Sequence, residues 1–144
     1  MGNNFGVYVN CIKICLAIFI LIIGCLIYAG YRSDDLLMFE WFDYLGVSNH
    51  VMCFRDICSE FHIPNFIKFS LPDGLWVLSY MMIIGVIWNS RNFMCLLFMY
   101  SIPFVAIALE LMQLSFNALG TFDILDVLSY VMAILIYQLI QYLT

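Results

Sequence analysis

The chain has 144 residues, of which 65% are hydrophobic and only 10% are charged, and its formal net charge at pH 7 is −5. A mean hydropathy of +1.02 excludes an ordinary water-soluble domain and predicts an integral membrane protein. Nucleic acid is excluded as a partner, because phosphate binding needs clustered Lys and Arg, and the five in this chain are scattered.

Four apolar segments, residues 9–31, 71–89, 93–114 and 123–143, predict an all-α integral membrane protein with four transmembrane helices. Each has about 20 residues, and a helix of that length, at about 1.5 Å per residue, crosses a hydrocarbon core of about 30 Å. No stretch has the composition of a soluble domain, so we expect residues 1–144 to form a single membrane domain.

Residues 32–70, between spans one and two, are less apolar and predict two amphipathic helices that lie at the membrane interface. Ser33 is the candidate N-cap of the first helix and Ser48 that of the second. Apolar residues recur at helical spacing, at Leu37, Trp41 and Leu45 in the first and at Val51, Phe54, Cys58 and Phe61 in the second. The segment either roofs the bundle or forms a lid or a docking surface for a protein partner through residues 36–62.

Each of the last three spans carries a polar stripe at helical spacing. The stripes are Asp73, Trp76 and Tyr80 on span two, Glu110, Gln113 and Asn117 on span three, and Asp123, Asp126 and Tyr130 on span four. The four carboxylates of these stripes are predicted to lie at similar depths. Counted from the inner ends of the spans at about 1.5 Å per residue, they are about 24 to 28 Å above the inner face of the membrane. Charge is costly on a lipid-facing surface, so we predict one acidic pocket near the outer boundary.

For two of these acids, stabilisation of a helix start is an alternative to ligand binding. Asp73 and Asp123 fall in first helical turns, where an anion interacts favourably with the helix dipole, and Pro72 and Thr121 suit helix starts. Glu110 and Asp126 have no such role. The short connection at residues 115–122 makes spans three and four antiparallel neighbours, so these two acids are expected to lie close together and to be functional or internally paired.

The basic residues predict an orientation. Lys13 and Arg91 fall on one side of the membrane, and Arg32, Arg55 and Lys68 fall on the other. Short loops count more than long ones in the positive-inside rule, which favours Arg91 inside. We therefore expect a multi-pass protein of the cytoplasmic (inner or plasma) membrane with both termini in the cytoplasm.

The predicted ligand-binding residues are Asp73, Trp76, Tyr80, Glu110, Gln113, Asp123 and Asp126. No zinc site is predicted, because His50 and His62 lie far apart and lack the spacing of zinc ligands. A hard divalent cation among the acids is chemically reasonable, since carboxylate oxygens suit Mg²⁺ and Ca²⁺. No other cofactor is expected.

The segment "ALELMQLSFNALGTFDILDVLSYVMAILIY", residues 108–137, resembles the closing half of the VanZ-like membrane proteins. That family has a Glu and a Gln three apart at the end of one span, then a short loop and an Asp-rich start to the last span. The matching residues are Glu110, Gln113, Asp123 and Asp126. "LPDGLWVLSY" stands where the family has its earlier polar motif, with Asp73 as its acid, so the resemblance covers roughly residues 71–138. The Lys and His that usually follow this acid are missing, as is the Arg before Asp123.

The resemblance implies a small helical protein of the cell envelope, associated with low-level resistance to glycopeptide antibiotics such as teicoplanin, and it supplies no biochemical activity.

Our leading hypothesis is that the outward-facing acidic pocket binds a polar or cationic group of an envelope or lipid-linked ligand. The alternative is a non-enzymatic membrane subunit or scaffold of a larger complex, in which the stripes pack helices and Trp41, Phe54 and Phe61 dock a partner. An enzyme with Glu110 and Asp126 as acid and base is chemically allowed, but no motif supports it. The ligand and the oligomeric state stay open.

Overall fold

A computed structural model of the chain describes residues 2–88, 92–115 and 121–143, with side chains from residue 6 onward. These residues form seven α-helices and no strand, which confirms the all-helical prediction. The helices are α1 (Gly2–Tyr31), α2 (Leu37–Tyr44), α3 (Ser48–Ser59), α4 (Asn65–Phe69), α5 (Leu71–Ile87), α6 (Phe93–Gln113) and α7 (Ile124–Leu143). Arg91, Asn117 and most of the predicted loop at residues 115–122 lie outside the described residues.

Three helices are long and apolar enough to cross a membrane, namely Gly6–Tyr31 within α1, Phe93–Gln113 and Ile124–Leu143. Only 11% to 22% of the residues in their most apolar windows are buried, so the protein itself leaves most of this apolar surface uncovered. The chain is therefore a membrane protein. The predicted spans of residues 9–31, 93–114 and 123–143 correspond to these helices.

α5 is apolar but shorter than the predicted span of residues 71–89. It has 17 residues, and the backbone at Trp88 is extended, with φ −94° and ψ 95°. At that residue the Trp88 ring stacks on Phe98 of α6, with 5.3 Å between the ring centroids. This contact joins the end of α5 to α6.

α5 lies at the centre of the bundle, with α1, α6 and α7 each packed against it. It also supplies the largest group of buried residues, Pro72, Gly74, Val77, Leu78, Ser79, Met81 and Met82. The α1 helix runs antiparallel to it, since Trp76 lies against Gly24 and the Ser79 hydroxyl donates to the Ala17 carbonyl at 2.9 Å. The α7 helix runs parallel to it, from Gly74 beside Ser129 to Gly85 beside Tyr137.

Glycine is required where α5 meets α7. A Cβ atom at Gly74 would lie 2.9 Å from the backbone oxygen of Ser129 and 3.0 Å from its Cβ, closer than real Cβ contacts. The two backbones can approach this closely only because position 74 has no side chain. The register between α5 and α7, and with it the relative depth of their acidic residues, depends on this contact.

The helix starts of the segment between α1 and α5 differ from the prediction. α2 begins at Leu37, and the Ser33 hydroxyl, instead of capping it, donates to the Asp35 carboxylate at 2.9 Å. Ser48 is the first residue of α3 and not its cap, and its hydroxyl donates to the Asp43 carboxylate. Both serines were wrongly predicted as caps, because α2 begins four residues after Ser33 and α3 begins at Ser48 itself. The Ser33 oxygen instead accepts the Asp35 backbone N–H at 3.4 Å, in the turn before α2.

The apolar faces of α2 and α3 have different surroundings. Phe54 and Cys58 of α3 lie against Gly30 of α1, and Cys58 is buried. The predicted apolar face of α2 is exposed, with Leu37 at 59%, Trp41 at 60% and Leu45 at 69%. The α4 helix was not predicted, since five residues are too few for an apolar stripe of 3.6-residue period to be recognised.

Candidate functional site

Glu110 joins the end of α6 to the start of α7. Its side chain is only 6% exposed. One carboxylate oxygen accepts the Asp123 backbone N–H at 2.8 Å, and the other accepts the Gln113 side-chain amide at 3.2 Å. A buried carboxylate with both oxygens hydrogen-bonded is satisfied without a ligand. Glu110 and Gln113 therefore act first as a link between two helices.

Asp123 is the N-cap of α7. Its Oδ1 accepts the backbone N–H of Leu125, the second helical residue, at 2.9 Å. Asp123 therefore has the helix-capping role that was the alternative to ligand binding. Thr121, which was predicted as the cap, lies two residues too early, because the helix begins at Ile124.

Asp73, in the first turn of α5, forms an ion pair with Arg32, which directly follows α1. Arg32 Nη2 lies 3.7 Å from Asp73 Oδ2 and also donates to the Phe69 carbonyl at 3.2 Å. The guanidinium is 5.2 Å from the centroid of the Tyr28 ring and 5.4 Å from that of the Phe69 ring. Asp73 is thus more than a helix-end residue.

Arg32 is the residue of this site that sequence reasoning missed. It was assigned to the outer segment with the other basic residues there. The sequence did contain a signal for this pair. Arg32 follows the last residue of span one, and Asp73 lies at the start of span two. If the two spans are antiparallel neighbours, these two ends lie side by side.

Three carboxylates converge at this end of the bundle. The charges of Glu110 and Asp126 act on Asp73, and those of all three acids act on the Tyr130 hydroxyl. Three carboxylates against one guanidinium leave an excess of negative charge. The site is therefore electrostatically suited to a cationic group.

A cleft of about 270 Å³ opens between α5, α6 and α7 at the same end. It is lined by Asp73, Trp76, Val77, Tyr80, Ile102, Ala106 and Tyr130. Of the predicted ligand-binding residues, Asp73, Trp76 and Tyr80 line the cleft, whereas Glu110, Gln113, Asp123 and Asp126 do not. The stripe of span two therefore lines the cleft, although the Trp76 ring also packs on Tyr28 and the Tyr80 hydroxyl donates to the Phe98 carbonyl. Glu110, Gln113 and Asp123 are engaged in hydrogen bonds within the protein.

Buried polar atoms without a hydrogen-bond partner gather at this end as well. Among the described residues they are Arg32 Nε, Ser70 Oγ, Trp76 Nε1 and Asp126 Oδ1. Ser70 and Trp76 flank Asp73 in the sequence, and Asp126 is in the first turn of α7. Unpaired polar atoms are costly when buried, so this end of the bundle has hydrogen-bonding capacity that the described chain leaves unused.

Metal ligation has no preformed geometry in the described part of the chain. No group of three or more His, Cys, Asp or Glu side chains there is arranged to hold a metal ion. Neither His50 nor His62 lines the cleft at Asp73, which is called the acidic cleft below. A divalent cation among the acids stays a prediction from the sequence.

Comparisons of the chain with protein-family models, with curated proteins and with solved structures found no match. The resemblance to the VanZ-like proteins therefore rests on the residues quoted above.

Proposed function

We propose that this chain is a VanZ-like cell-envelope membrane protein whose outward-facing acidic pocket binds the cationic group of an envelope or lipid-linked ligand, in a glycopeptide-resistance-type role. The observation that carries the proposal is the cleft with Asp73 in its wall. Glu110 and Asp126 lie within electrostatic range of that carboxylate and make the site attractive to a cation.

The topology that we propose has four spans. The α5 helix crosses the membrane together with α1, α6 and α7, which is supported by its apolar composition and by its position between the other three. The α2 and α3 helices lie at the interface, both termini are cytoplasmic, and the cleft faces outward in the cytoplasmic membrane.

The chemistry of the cleft favours an amine. Trp76, Tyr80 and Tyr130 contribute aromatic rings to its lining, and ammonium groups bind both aromatic faces and carboxylates. Arg32 occupies Asp73 in the described structure through a long ion pair of 3.7 Å. A ligand amine would compete with Arg32 for this carboxylate.

The ligand is proposed to enter from the bilayer. Ile102 lines the cleft and is 46% exposed. It lies nine residues after the start of α6, about 14 Å along the helix at about 1.5 Å per residue, and therefore at the depth of the hydrocarbon core. A cleft with an exposed apolar rim at this depth suits a lipid or a lipid-linked molecule.

The experiment compares two probes of equal chain length, decylamine and decanol, by thermal shift and native mass spectrometry of the purified protein in mild detergent. We expect decylamine to bind and stabilise the protein and decanol to do neither. The Asp73→Asn variant should bind decylamine about tenfold more weakly, since a charge-assisted contact is lost. Undiminished binding by this variant would overturn the proposal.

Glu40→Gln is the matched control, because it removes one carboxylate from an exposed position on α2. It should bind decylamine as the parent does. In a teicoplanin-susceptible bacterium, expression of the parent chain or of Glu40→Gln should raise the inhibitory concentration of teicoplanin, and expression of Asp73→Asn should not.

A scaffold is the second candidate function, and the inward polar contacts favour it. Both carboxylate oxygens of Glu110 accept hydrogen bonds from the protein, and the Tyr80 hydroxyl donates to the Phe98 carbonyl at 2.5 Å. Trp41 and Phe61 are exposed by 60% and 61% and could dock a partner, whereas Phe54 packs on α1. Loss of a co-purifying protein in Trp41→Ser, with no amine binding by the parent chain, would favour the scaffold.

A further inference from the structure

A second and larger cavity, of about 440 Å³, lies between the end of α1, α3 and α4. It shares no lining residue with the cleft at Asp73. Tyr31, the last residue of α1, lines it, as does Lys68, which precedes α5 by three residues. Because α1 is long enough to cross the membrane and ends here, the cavity lies at the level of the lipid headgroups.

The back of this cavity is fixed by Arg55 of α3. Its Nη1 donates to the Ala29 carbonyl of α1 at 2.8 Å, and its Nη2 donates to the Asp34 carboxylate. The guanidinium also lies 4.7 Å from the centroid of the Phe39 ring. These contacts neutralise Asp34 and hold α3 against α1, so the cavity is formed in advance of any ligand.

Two further charges of opposite sign line the cavity. The Lys68 ammonium lies 5.4 Å from the centroid of the Tyr31 ring, and no carboxylate of the described residues is within ion-pair distance of it. Asp56 is exposed, and its carboxylate forms no ion pair within the described ranges. With Arg55 and Asp34 paired to each other, one cation and one anion stay available to a ligand.

We propose that this cavity binds the headgroup of a zwitterionic phospholipid that carries a primary amine. Lys68 binds the phosphate, the imidazole of His62 on the cavity wall donates a hydrogen bond to it, and Asp56 binds the ammonium. Met52 and Phe61, which line the cavity and are exposed by 49% and 61%, contact the acyl chains. This site differs from the acidic cleft in place and in the charge that it selects.

The test uses the purified full chain in nanodiscs that contain equal amounts of phosphatidylethanolamine and phosphatidylglycerol. Native mass spectrometry after release from the discs counts the retained lipids. We expect the parent chain to retain phosphatidylethanolamine in preference to phosphatidylglycerol. Lys68→Gln should lower the retention of both lipids by about tenfold, because both depend on the phosphate contact.

Asp56→Asn gives the sharper result, because only the amine depends on this carboxylate. It should remove the preference for phosphatidylethanolamine while total retention stays near that of the parent. Met52→Trp, which fills the cavity without a change of charge, should lower the retention of both lipids. Thermal midpoints within a few degrees of the parent's show that the variants are folded.

The controls separate this site from the acidic cleft and from surface charge in general. Lys13→Gln and Glu60→Gln each remove one charge away from the cavity lining and should leave retention unchanged. Because the acidic cleft is itself proposed to bind an amine, Lys68→Gln and Asp56→Asn are also made in the Asp73→Asn background, where each should have the same effect on lipid retention. Parent-like retention by Lys68→Gln, or loss of its effect in the Asp73→Asn background, would overturn the assignment.

A last arm separates the lipid from its free headgroup. Water-soluble phosphoethanolamine should not raise the thermal midpoint at millimolar concentration, because it lacks the chains that contact Met52 and Phe61. Stabilisation by phosphoethanolamine equal to that by the lipid would show that the ligand is a soluble phosphate ester, and the lipid assignment would be rejected.

Discussion

Glu110 holds the end of α6 to the start of α7 through a charge-assisted hydrogen bond from the Asp123 N–H. We predict that Glu110→Ala lowers the free energy of unfolding by about 1–3 kcal/mol, because it leaves a backbone donor without its acceptor in a buried site. Unfolding in mixed detergent micelles, followed by circular dichroism, measures the loss.

Gln113→Ala is the comparison for Glu110→Ala. Gln113 contributes only a 3.2 Å hydrogen bond to Glu110 and is partly exposed. Its removal should cost less than about 1 kcal/mol, in line with polar contacts in other membrane proteins. Equal losses in the two variants would contradict the role given to Glu110.

Removal of Arg32, the partner of Asp73, is expected to strengthen amine binding and to lower the stability of the protein. Arg32→Gln removes the cation that competes for Asp73, so decylamine should bind about two- to fivefold more tightly, the equivalent of about 0.5–1 kcal/mol. The same variant should unfold at a lower temperature, since it leaves the carboxylates without their counter-charge. Titration of the thermal midpoint with decylamine measures both effects. Weaker amine binding would instead give Arg32 a direct role in holding the ligand.

From the sequence we predicted that the acidic residues lie at one depth, but we did not predict their bonding partners. Counting residues from the inner ends of the spans was enough to bring Asp73, Glu110 and Asp126 to one level. The partners depend on helix rotation and on side-chain reach, which no count along the chain supplies. That is why the Arg32 ion pair and the two hydrogen bonds of Glu110 were not foreseen.

Among the helices, the contact between α5 and α7 depends most on a single residue type. We predict that Gly74→Ala lowers the free energy of unfolding by about 1–3 kcal/mol, because the new methyl group meets the Ser129 backbone, which cannot rotate away. Thermal unfolding in detergent measures this loss.

Gly6→Ala is the matched change at an open position. A Cβ atom at Gly6, near the start of α1, has no neighbour within 4 Å. The higher helix propensity of Ala should make this change neutral or stabilising by up to about 1 kcal/mol. Similar losses at Gly6 and Gly74 would show that the close contact of α5 with α7 is not responsible.

The short elements between α1 and α5 were predicted only in part. The apolar spacing indicated α2 and α3, and Phe54 and Cys58 do face α1. The helix starts were wrong, because α2 begins at Leu37, after a turn in which the Ser33 oxygen accepts the Asp35 N–H, and α3 begins at Ser48 itself. Local hydrogen bonds of this kind depend on side-chain rotamers, which a spacing pattern does not contain.

For the molecule as a whole, the proposed topology predicts which cysteine reacts from outside the cell. Cys53 of α3 is exposed in the segment proposed to be extracytoplasmic, whereas Cys11, Cys15 and Cys25 lie along α1. A membrane-impermeant maleimide should label the protein on intact cells, and Cys53→Ser should abolish the labelling. Labelling of Cys53 only after the cells are permeabilised would invert the orientation.

Hydropathy predicted the three long helices because their lipid-facing surfaces are continuous and apolar. It overestimated α5, because the apolar run continues through Trp88, while the helix ends where that ring stacks on Phe98. Composition records that a residue is apolar but not whether lipid or a neighbouring helix covers it.

The length of α5 has a consequence for the surrounding bilayer. Its 17 residues span about 26 Å at about 1.5 Å per residue, less than a hydrocarbon core of about 30 Å. In the proposed four-span topology, lipids must compress to match α5 where its side is not covered by α1, α6 or α7, at a cost of fractions of a kcal/mol per Å of mismatch. This local thinning would bring the lipid headgroups and water closer to Asp73. The thickness of the membrane would therefore affect how easily a ligand reaches the acidic cleft.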